Sequence, residues 1–468
     1  MIENIVHFVT TLLIGVYVIT TLQWYNYKID RVLFHFHKYS WHILFFLIPI
    51  FVYTFFPSYF NYFFLIYMAL FLIWYKKSKG VKFTKRVKRF LVILVILEIG
   101  NLFIMKRFNN NEGLSLLSVI STAIIISYLI ESFLFSKFKQ KAKIKLNKIS
   151  PAIITITGSY GKTSIKNFTY QLLKDNFKTY KTPRSVNTLK GIVLDINTSL
   201  PEDTQIYITE AGAREKGDIK EIVEFLENEY SILGKIGPQH IEYFKTMDNI
   251  EKTKLEIFKS PKLKKGFSYQ IEWRDKVEVI KDKIKNIKSS LNGIEWDLII
   301  NNKTYHLKAP NILGEFNAIN ISLAVYQAIE FMNLDEVLEK VEKLEPIEHR
   351  LQKIEANKKV IIDDSFNGNI EGMLKSFKLI KTYNGKKIII TPGLIEATDE
   401  MNKKVAKAIN ETFDLAIITS QINKEILCKN ITINKICLSD KSKLTKILKE
   451  VTKEGDLILF SNDAPEYL

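Results

Sequence analysis

Cysteine is nearly absent from this chain of 468 residues: only Cys428 and Cys437 occur. Both lie late in the sequence, and their spacing does not match the ligand spacing of a zinc site. The sequence therefore predicts neither a zinc site nor a disulfide framework. A reducing compartment is the expected surrounding of the soluble part.

Acidic residues are scarce in the first third of the chain. Residues 1–150 contain 19 Lys and Arg against five acidic residues, which is +14 of the total charge of +17 and leaves +3 for residues 151–468. No basic stripe with interleaved aromatic residues occurs in that later part, so we expect no nucleic-acid partner. With 47% hydrophobic residues, the chain is too apolar to be disordered and long enough for two or three domains.

Long apolar runs occupy the first third instead, at residues 5–24, 41–75, 90–105 and 114–135. The second run is too long for one membrane span and is broken at Pro57 and Ser58, so it predicts two helices and five spans in total. The run at 90–105 is short against the roughly 20 residues that cross a bilayer. A four-span or partly re-entrant arrangement therefore stays open.

The basic residues alternate with these spans. The loops after spans one, three and five hold three, eight and six Lys or Arg, whereas those after spans two and four hold none and two. Cytoplasmic loops carry the excess of positive charge, so we expect an outside N-terminus and a multi-pass protein of the cytoplasmic (inner) membrane. A cleaved signal peptide is disfavoured, because Glu3 precedes the first run without a basic residue. We assign residues 1–136 to a transmembrane region and 137–150 to a basic linker, with the basic loops as topology determinants.

A candidate phosphate-binding loop opens the remaining sequence. A β-branched run at 152–157 precedes Gly158, Ser159, Tyr160, Gly161, Lys162, Thr163 and Ser164, and a helical pattern follows. Glycines let backbone N–H groups approach phosphate oxygens, and a helix N-terminus favours negative charge. Lys162 would reach the β- and γ-phosphates and Thr163 would bind Mg²⁺. Ile156 stands where the usual motif has its first glycine, so a simple glycine turn is the alternative.

Three further residues have the chemistry of a metal or catalytic site. Glu210 follows a strand-like run at 205–209, where ligands bind in open α/β sheets, and His240 follows a second run at 230–237. Lys254 falls inside the apolar stripe of a helix predicted to begin at Asp248, and a lysine is rarely buried without a partner. An ordinary loop histidine and a snorkelling lysine are the alternatives.

Eight ordered segments together resemble the Mur ligases: residues 157–163, 185–191, 210–213, 237–242, 254–258, 314–320, 349–350 and 363–369. The resemblance covers about residues 150–468 and is strongest to the branch that adds D-alanyl-D-alanine to UDP-N-acetylmuramoyl-tripeptide. It implies α/β domains after the helical membrane region that the apolar runs predict, namely a P-loop-type ATP-binding domain at 151–345 and a Rossmann-like domain at 346–468. Strand-like runs alternate with helical stretches after residue 346, as a doubly wound sheet requires.

The resemblance also implies roles for individual residues. ATP and two Mg²⁺ ions are the expected cofactors, with Thr163 and Glu210 at one ion and Glu210, His240 and a carbamylated Lys254 at the other. Asn317 and Asn320 would contact adenine, Arg350 the γ-phosphate and Asp364 the ribose, while substrate would be contacted by Asn187, Asn367 and Asn369. Helix capping or surface solvation is the alternative for several of these polar residues.

The implied activity is ATP-dependent amide ligation through an acyl phosphate, with Lys162, Lys254, His240 and Arg350 as catalytic residues. The expected partners are UDP-linked muramoyl-tripeptide, D-alanyl-D-alanine and the lipid bilayer. Membrane spans stand where cytoplasmic ligases of this kind carry their UDP-sugar domain, so the same chemistry on a folate polyglutamate or another wall polymer is one alternative. A non-catalytic membrane scaffold for other cell-wall synthesis enzymes is the second. The segment 261–313 is polar and strand-rich, without a readable role.

Overall fold

A computed structural model of the chain describes residues 2–25, 27–34, 39–78, 80–108, 112–184, 186–238, 241–273, 276–366, 369–394, 397–419, 422–438 and 440–462. The chain divides into two compact units, Met1–Lys139 and Gln140–Leu468. The first is helical, and the second is α/β.

The helices of the first unit are α1 (Ile2–Trp24), α2 (Ile29–Phe34), α3 (Tyr39–His42), α4 (Ile48–Phe55), α5 (Pro57–Lys77), α6 (Lys85–Phe108) and α7 (Glu112–Ile149). A π-helical turn joins α3 to α4, so that Tyr39–Phe55 is one short apolar helix. The predicted break at Pro57 is present: α4 ends one residue before Phe56, and Pro57 starts α5 where its missing N–H is not needed.

Three of these helices are long and apolar enough to cross a membrane: Ile2–Trp24, Pro57–Lys77 and Gly113–Ile149. Tyr39–Phe55 is shorter, and α6 begins with Lys85 and Arg86 and carries Glu98 in its apolar part. Of the five predicted spans, three therefore correspond to helices with the length and composition of a span in the described part of the chain. Tyr39–Phe55 is shorter than the roughly 20 residues required, whereas α6 has 24 residues but includes charged ones.

The basic segment 137–150, which the sequence analysis assigns to a linker, is almost entirely helical. It continues α7 as far as Ile149, since it consists mainly of good helix formers and contains no glycine or proline before Pro151. The C-terminal end of α7 is part of the α/β unit. Its Lys143 Nζ lies 2.9 Å from Phe225 O and 2.9 Å from Glu227 Oε1.

The α/β unit begins with a parallel sheet in the order β2-β3-β1-β4-β5-β6. Its elements are β1 (Ala152–Thr157), α8 (Lys162–Leu173), β2 (Thr179–Lys181), α9 (Leu189–Thr198), β3 (Ile206–Glu210), α10 (Asp218–Leu226), β4 (Tyr230–Leu233), α11 (Ile241–Phe244), α12 (Met247–Lys254), β5 (Lys265–Ser268) and β6 (Val277–Val279). The isoleucines of β1 and β3 are buried, as in a strand covered on both faces. In the register of β1 and β3, Ile156 pairs with Glu210, so the strands end together.

The unreadable segment 261–313 completes this sheet and adds a small antiparallel one. The second sheet contains β7 (Ile284–Ser290), β8 (Gly293–Ile300) and β9 (Lys303–Ala309), and α13 (Phe316–Ala328) and α14 (Leu334–Val341) follow. Trp296 is fully buried, and its Nε1 donates to Ser322 Oγ on α13 at 3.0 Å. The segment therefore supplies core for the helix that carries Asn317 and Asn320.

A second six-stranded sheet follows, in the order β10-β11-β15-β12-β13-β14. Its elements are β10 (Gln352–Ala356), β11 (Lys359–Asp364), α15 (Ile370–Ile380), β12 (Lys387–Thr391), α16 (Asp399–Thr412), β13 (Leu415–Ile418), α17 (Lys424–Asn430), β14 (Asn434–Cys437), α18 (Leu444–Val451) and β15 (Leu457–Ser461). All pairs are parallel except β10 with β11. The predicted alternation of strands and helices after residue 346 is therefore present.

The two cysteines form a disulfide, where the sequence predicted no disulfide framework. That expectation is wrong, because the chain turns back after α17 and runs into β14. The Cα atoms of Cys428 and Cys437 are therefore only 6.5 Å apart. Spacing along the chain gives no information on this approach.

Candidate active site

The candidate phosphate loop lies at the carboxyl end of β1, between the ends of β3 and β4. Gly161 is the N-cap of α8 and has φ of 80°, a left-handed conformation that glycine adopts without strain. A Cβ atom here would also collide with the Asn320 side chain. Glycine is therefore required at this position for two reasons, backbone conformation and close approach.

The loop is anchored to the segment that follows β4. Ser159 Oγ donates to Gly237 O at 2.9 Å, and the backbone N–H groups of Ser159 and Tyr160 donate to Lys235 O at 3.0 and 3.2 Å. The first residue of α8, Lys162, folds back onto the loop and donates to Gly158 O at 2.7 Å and Ser159 O at 3.2 Å. Both ends of the loop are thus held before any phosphate binds.

The Lys162 ammonium is poorly solvated. Burial lowers the pKa of Lys162 to about 8; Glu210 acts in the opposite direction, and Arg350 lowers the pKa further. Two cations and one carboxylate therefore face one another at the phosphate loop. A phosphate group is the kind of ligand that would relieve this excess of positive charge.

Glu210 ends β3 and is almost completely buried. Its Oε1 lies 2.8 Å from Lys166 Nζ, and both side chains are 1% exposed. The turn after Glu210 meets the segment before α9, because Gly212 N donates to Asn187 O at 2.7 Å. A Cβ atom on Gly212 would lie 2.8 Å from Asn187 Cγ, so this contact requires a glycine.

The second six-stranded sheet and the segment just before it contribute a carboxylate and a cation to the same cleft. Arg350 donates from Nη1 to Phe366 O at 3.0 Å, and its guanidinium lies 5.0 Å from the centre of the Phe366 ring. Asp364 ends β11 and accepts from Ser376 Oγ at 3.1 Å. Burial raises the pKa of Asp364 to about 6, while Ser376 and Arg350 act in the opposite direction.

One cleft of about 1180 Å³, including its open mouth, gathers most of the predicted site residues. Those that line it are Ser159, Tyr160, Gly161, Lys162, Thr163, Ser164, Asn187, Glu210, Asn320, Arg350, Asp364 and Asn369. They come from seven separate stretches of the chain, which only the folded structure brings together. Asn369 is also the N-cap of α15 and accepts from Gly372 N at 2.9 Å, so capping accounts for part of its role.

Three predicted residues lie beside the cleft and not on its wall: Gly158, Asn317 and Lys254. Asn317 is buried, donates to Leu313 O at 2.8 Å and accepts from Asn320 Nδ2 at 3.0 Å, so it orients Asn320. His240 and Asn367 lie outside the described residues.

Lys254 is 4% exposed, as its place in the apolar stripe predicted. Its helix begins earlier than expected: Thr246, and not Asp248, is the N-cap, and its side chain accepts from Asn249 N. Burial and the Lys162 ammonium hold the pKa of Lys254 well below its usual range, whereas Asp218 and Glu256 act in the opposite direction.

The sequence prediction missed three charged residues of the cleft, Lys235, Glu371 and Lys375. Lys235 forms an ion pair with Glu371, and Lys375 Nζ lies 3.1 Å from Glu315 Oε1. These ion pairs connect segments next to the first six-stranded sheet with α15, which belongs to the second. Lys235 follows the end of β4 much as Glu210 stands at the end of β3. This position at the carboxyl end of a strand could have predicted Lys235 as a site residue. Glu371 and Lys375 carry no comparable signal.

The described residues contain no group of three or more His, Cys, Asp and Glu side chains that could hold a metal. Thr163 and Glu210 are nevertheless two oxygen donors on one cleft. Mg²⁺ in nucleotide sites is held by one or two such protein groups, with the phosphates and water completing its shell. The donor set present thus fits a Mg²⁺ ion that arrives with a nucleotide.

Comparison with known proteins identifies the α/β unit. Residues 156–328 match the family model of the Mur ligase middle domain. UDP-N-acetylmuramoyl-tripeptide–D-alanyl-D-alanine ligase of Buchnera aphidicola subsp. Baizongia pistaciae is 26% identical over 319 residues, which cover 61% of this chain and 69% of that protein. The ligase of the same name from Bacillus subtilis is 23% identical over 347 residues, covering 69% and 75%.

A solved structure of MurF ligase from Thermotoga maritima in complex with ADP has the same fold, with a TM-score of 0.60 and 22% identity over 70% of this chain and 80% of that one. The segment matched by the family model includes the phosphate loop, Glu210 and the helix of Asn317 and Asn320. Residues 156–328 of this chain are therefore a Mur ligase middle domain.

Proposed function

We propose that this protein is an ATP-dependent, ADP-forming amide ligase that adds D-alanyl-D-alanine to UDP-N-acetylmuramoyl-tripeptide in peptidoglycan precursor synthesis. The observation that carries the proposal is the cleft on which Lys162, Thr163, Glu210, Arg350 and Asp364 converge. The names of the two curated relatives supply the substrates. The proposed fold is a P-loop-type domain at 151–345 and a Rossmann-like domain at 346–468.

The reaction has two steps. The terminal carboxylate of the tripeptide attacks the γ-phosphorus of ATP, the bond to the β,γ-bridging oxygen breaks, and ADP leaves an acyl phosphate behind. The amine of D-alanyl-D-alanine then attacks the acyl carbon, the amide bond forms, and phosphate leaves as the amine loses a proton. Lys162 and Arg350 would neutralise charge that develops on the phosphoryl oxygens and on the tetrahedral intermediate.

Metal ions would be held by oxygen donors of this chain. Thr163 and Glu210 would hold the ion that accompanies the nucleotide, and Glu210, His240 and carbamylated Lys254 a second one. Bound Mg²⁺ would supply positive charge at the phosphate oxygens. Carbamylation needs a neutral amine, and the lowered pKa of Lys254 supports that requirement, since its buried amine could take up CO₂ with loss of one proton.

The rest of the cleft would position the nucleotide and the substrate. Asn320, oriented by Asn317, would meet the adenine, and Asp364 would meet the ribose. Asn187 and Asn369 lie on the same cleft and are proposed to contact substrate, together with Asn367. Their placement on two distant segments would let the cleft contact more than one part of the substrate.

We further propose that the helical unit makes this a multi-pass protein of the cytoplasmic membrane, with the ligase on the cytoplasmic side. The three helices of span length support insertion, and the alternation of basic loops supports the orientation. Such an anchor would keep the ligase beside the membrane without taking part in the chemistry.

The decisive experiment is a turnover assay with the full-length protein in detergent or vesicles. ADP and phosphate release and the mass of the pentapeptide product are followed with ATP, Mg²⁺, UDP-linked tripeptide and D-alanyl-D-alanine, and with each component left out in turn. We expect ADP release only when both peptide substrates are present, and a product heavier by one D-alanyl-D-alanine less one water.

A folate polyglutamate and L-glutamate serve as the competing substrate pair in the same assay. Turnover with that pair and none with the muramoyl-tripeptide would replace the proposed substrate and keep the chemistry. Absence of ATP turnover with either pair, in protein that binds no MgADP, would instead favour the scaffold.

A further inference from the structure

A second buried lysine lies directly behind the phosphate loop. Lys166 is one helical turn after Lys162 on α8 and is 1% exposed. It is not among the residues that line the cleft in the described part of the chain, so it is not placed to touch a nucleotide.

The Lys166 ammonium contacts three residues on other segments. Nζ donates to Thr182 O at 2.9 Å and also to Arg184 O, and it forms an ion pair with Glu210, whose Oε1 lies 2.8 Å away. Lys166 therefore ties α8, the end of β3 and the segment after β2 to one point.

The segments joined by Lys166 meet again at the cleft. Three residues after Arg184, Asn187 accepts through its carbonyl from Gly212 N, two residues after Glu210. The carboxylate of Glu210 and the side chain of Asn187 are thus held between a charged tether behind the cleft and a backbone hydrogen bond at its edge.

We propose that Lys166 is a positioning residue, which orients the Glu210 carboxylate toward Mg²⁺ and couples it to the Asn187 segment. The inference rests on the proposed function only in taking Glu210 as a ligand of the nucleotide's metal ion. Partners that orient a metal ligand change metal affinity by about 10- to 100-fold when they are removed. Without Lys166 the buried carboxylate would lose the ion pair that it forms at 2.8 Å in the described structure.

The test measures binding without peptide substrates. The affinity for ADP is determined by calorimetry in EDTA and in saturating Mg²⁺, for the wild type and for Lys166→Met. We expect the metal-free affinity to stay within about twofold, because Lys166 lies outside the cleft, and the Mg²⁺-dependent gain in affinity to fall by about tenfold or more. Lys181→Met is the matched control, since Lys181 lies one residue before Thr182 and pairs with Asn167.

Lys166→Arg is measured in the same way and also serves if Lys166→Met does not fold. It keeps the charge, but its planar fork does not reproduce the three directions of an ammonium, so we expect part of the Mg²⁺ effect to return. An unchanged Mg²⁺ effect in folded Lys166→Met, or an equal loss with and without Mg²⁺, would overturn the proposal. Failure of the wild type to bind MgADP would overturn the proposed function instead, so the two failures are distinguishable.

Discussion

The described residues expose 35 large apolar side chains, of which 29 lie in residues 1–139 and six in residues 140–468. The helical unit thus exposes large apolar side chains, which the larger α/β unit mostly buries. An apolar exterior of this extent indicates a lipid-facing surface or an interaction site in a protein, since soluble monomers seldom expose such patches.

The buried polar and charged side chains have different surroundings in the two units. In the helical unit, His7 Nε2 and Glu98 Oε1 are 3.2 Å apart, and Tyr53 OH lies 3.1 Å from His7 Nδ1. In the α/β unit, the buried Lys166 and Glu210 stand behind an open cleft. The comparison teaches that polar groups specify helix packing in the first unit, while in the second they prepare a surface for a charged ligand.

Membrane topology offers the largest expected effect, because its outcome is all or none. Reporter fusions after Asn61, Lys79, Asn110 and Lys145, each made with one reporter active inside and one active outside the cell membrane, should read out, in, out and in. The reason is the excess of basic residues in alternate loops. A reporter at Lys145 that is active only outside would contradict both the topology and the supply of ATP to the ligase.

Lys162→Ala should lower ATP turnover by about 100-fold or more, the effect of removing one preorganised charge. Circular dichroism and thermal unfolding should stay near wild type, because Lys162 contacts only the carbonyls of its own loop. Lys174→Ala, at the exposed end of the same helix, is the control and should remain active. Retention of more than about a tenth of the activity would argue against the phosphate-loop assignment.

Lys254→Ala should lower activity by about 10- to 100-fold, and acetate should restore part of it by supplying an oxygen ligand in the vacated space. Burial lowers the pKa of Lys254 and so favours the uncharged amine, which is the form that carbamylation requires. Mass spectrometry of gently handled protein in bicarbonate should show the added carbamate. Lys259→Ala, exposed one turn further on, is the control, and a plain amine under saturating bicarbonate would contradict the proposal.

Asp364→Asn should weaken ADP binding by about tenfold, the worth of one hydrogen bond to a charged group. The pKa of Asp364 is raised to about 6, above the value of about 3.9 in unfolded chains. Ionisation of this carboxyl therefore lowers the free energy of unfolding as pH rises from about 4 to about 6. The variant should therefore be at least as stable as wild type at pH 7.5.

The same shift predicts a pH dependence of binding. Wild-type affinity for ADP should fall as pH drops below about 6, where Asp364 becomes protonated, and this dependence should be absent in Asp364→Asn. Glu411→Gln, a substitution of an exposed residue on α16, is the control. An Asp364→Asn protein that binds ADP as wild type does at pH 7.5 would remove Asp364 from the nucleotide site.

Several strands and most of the cleft could be predicted from the chain alone. The runs at 152–157 and 387–391 are β-branched, and the structure has β1 and β12 at these residues. Lys162, Glu210 and Arg350 were predicted from motifs, and all three line the cleft. These motifs are local, since each depends on the residues that end one strand or begin one helix.

Contacts between distant segments were missed. Lys235 and Glu371 are 136 residues apart, and Lys166 pairs with a carboxylate on another strand, so neither approach leaves a periodic signal. The disulfide of Cys428 and Cys437 was missed for a related reason, because a turn's geometry decides it. The helix through residues 137–149 was not predicted, because the dense positive charge of this segment obscures its high helix propensity.

The sequence by itself determined the order of the units, the sign of charge along the membrane segments and the residue types of the phosphate loop. These depend on composition and on spacing over a few residues, which act before the chain folds. The tertiary structure alone decided which side chains share the cleft, that Asn317 holds Asn320, and that Lys166 holds Glu210. Burial and hydrogen-bond partners are properties of packed surfaces, and these surfaces exist only after the two sheets have formed.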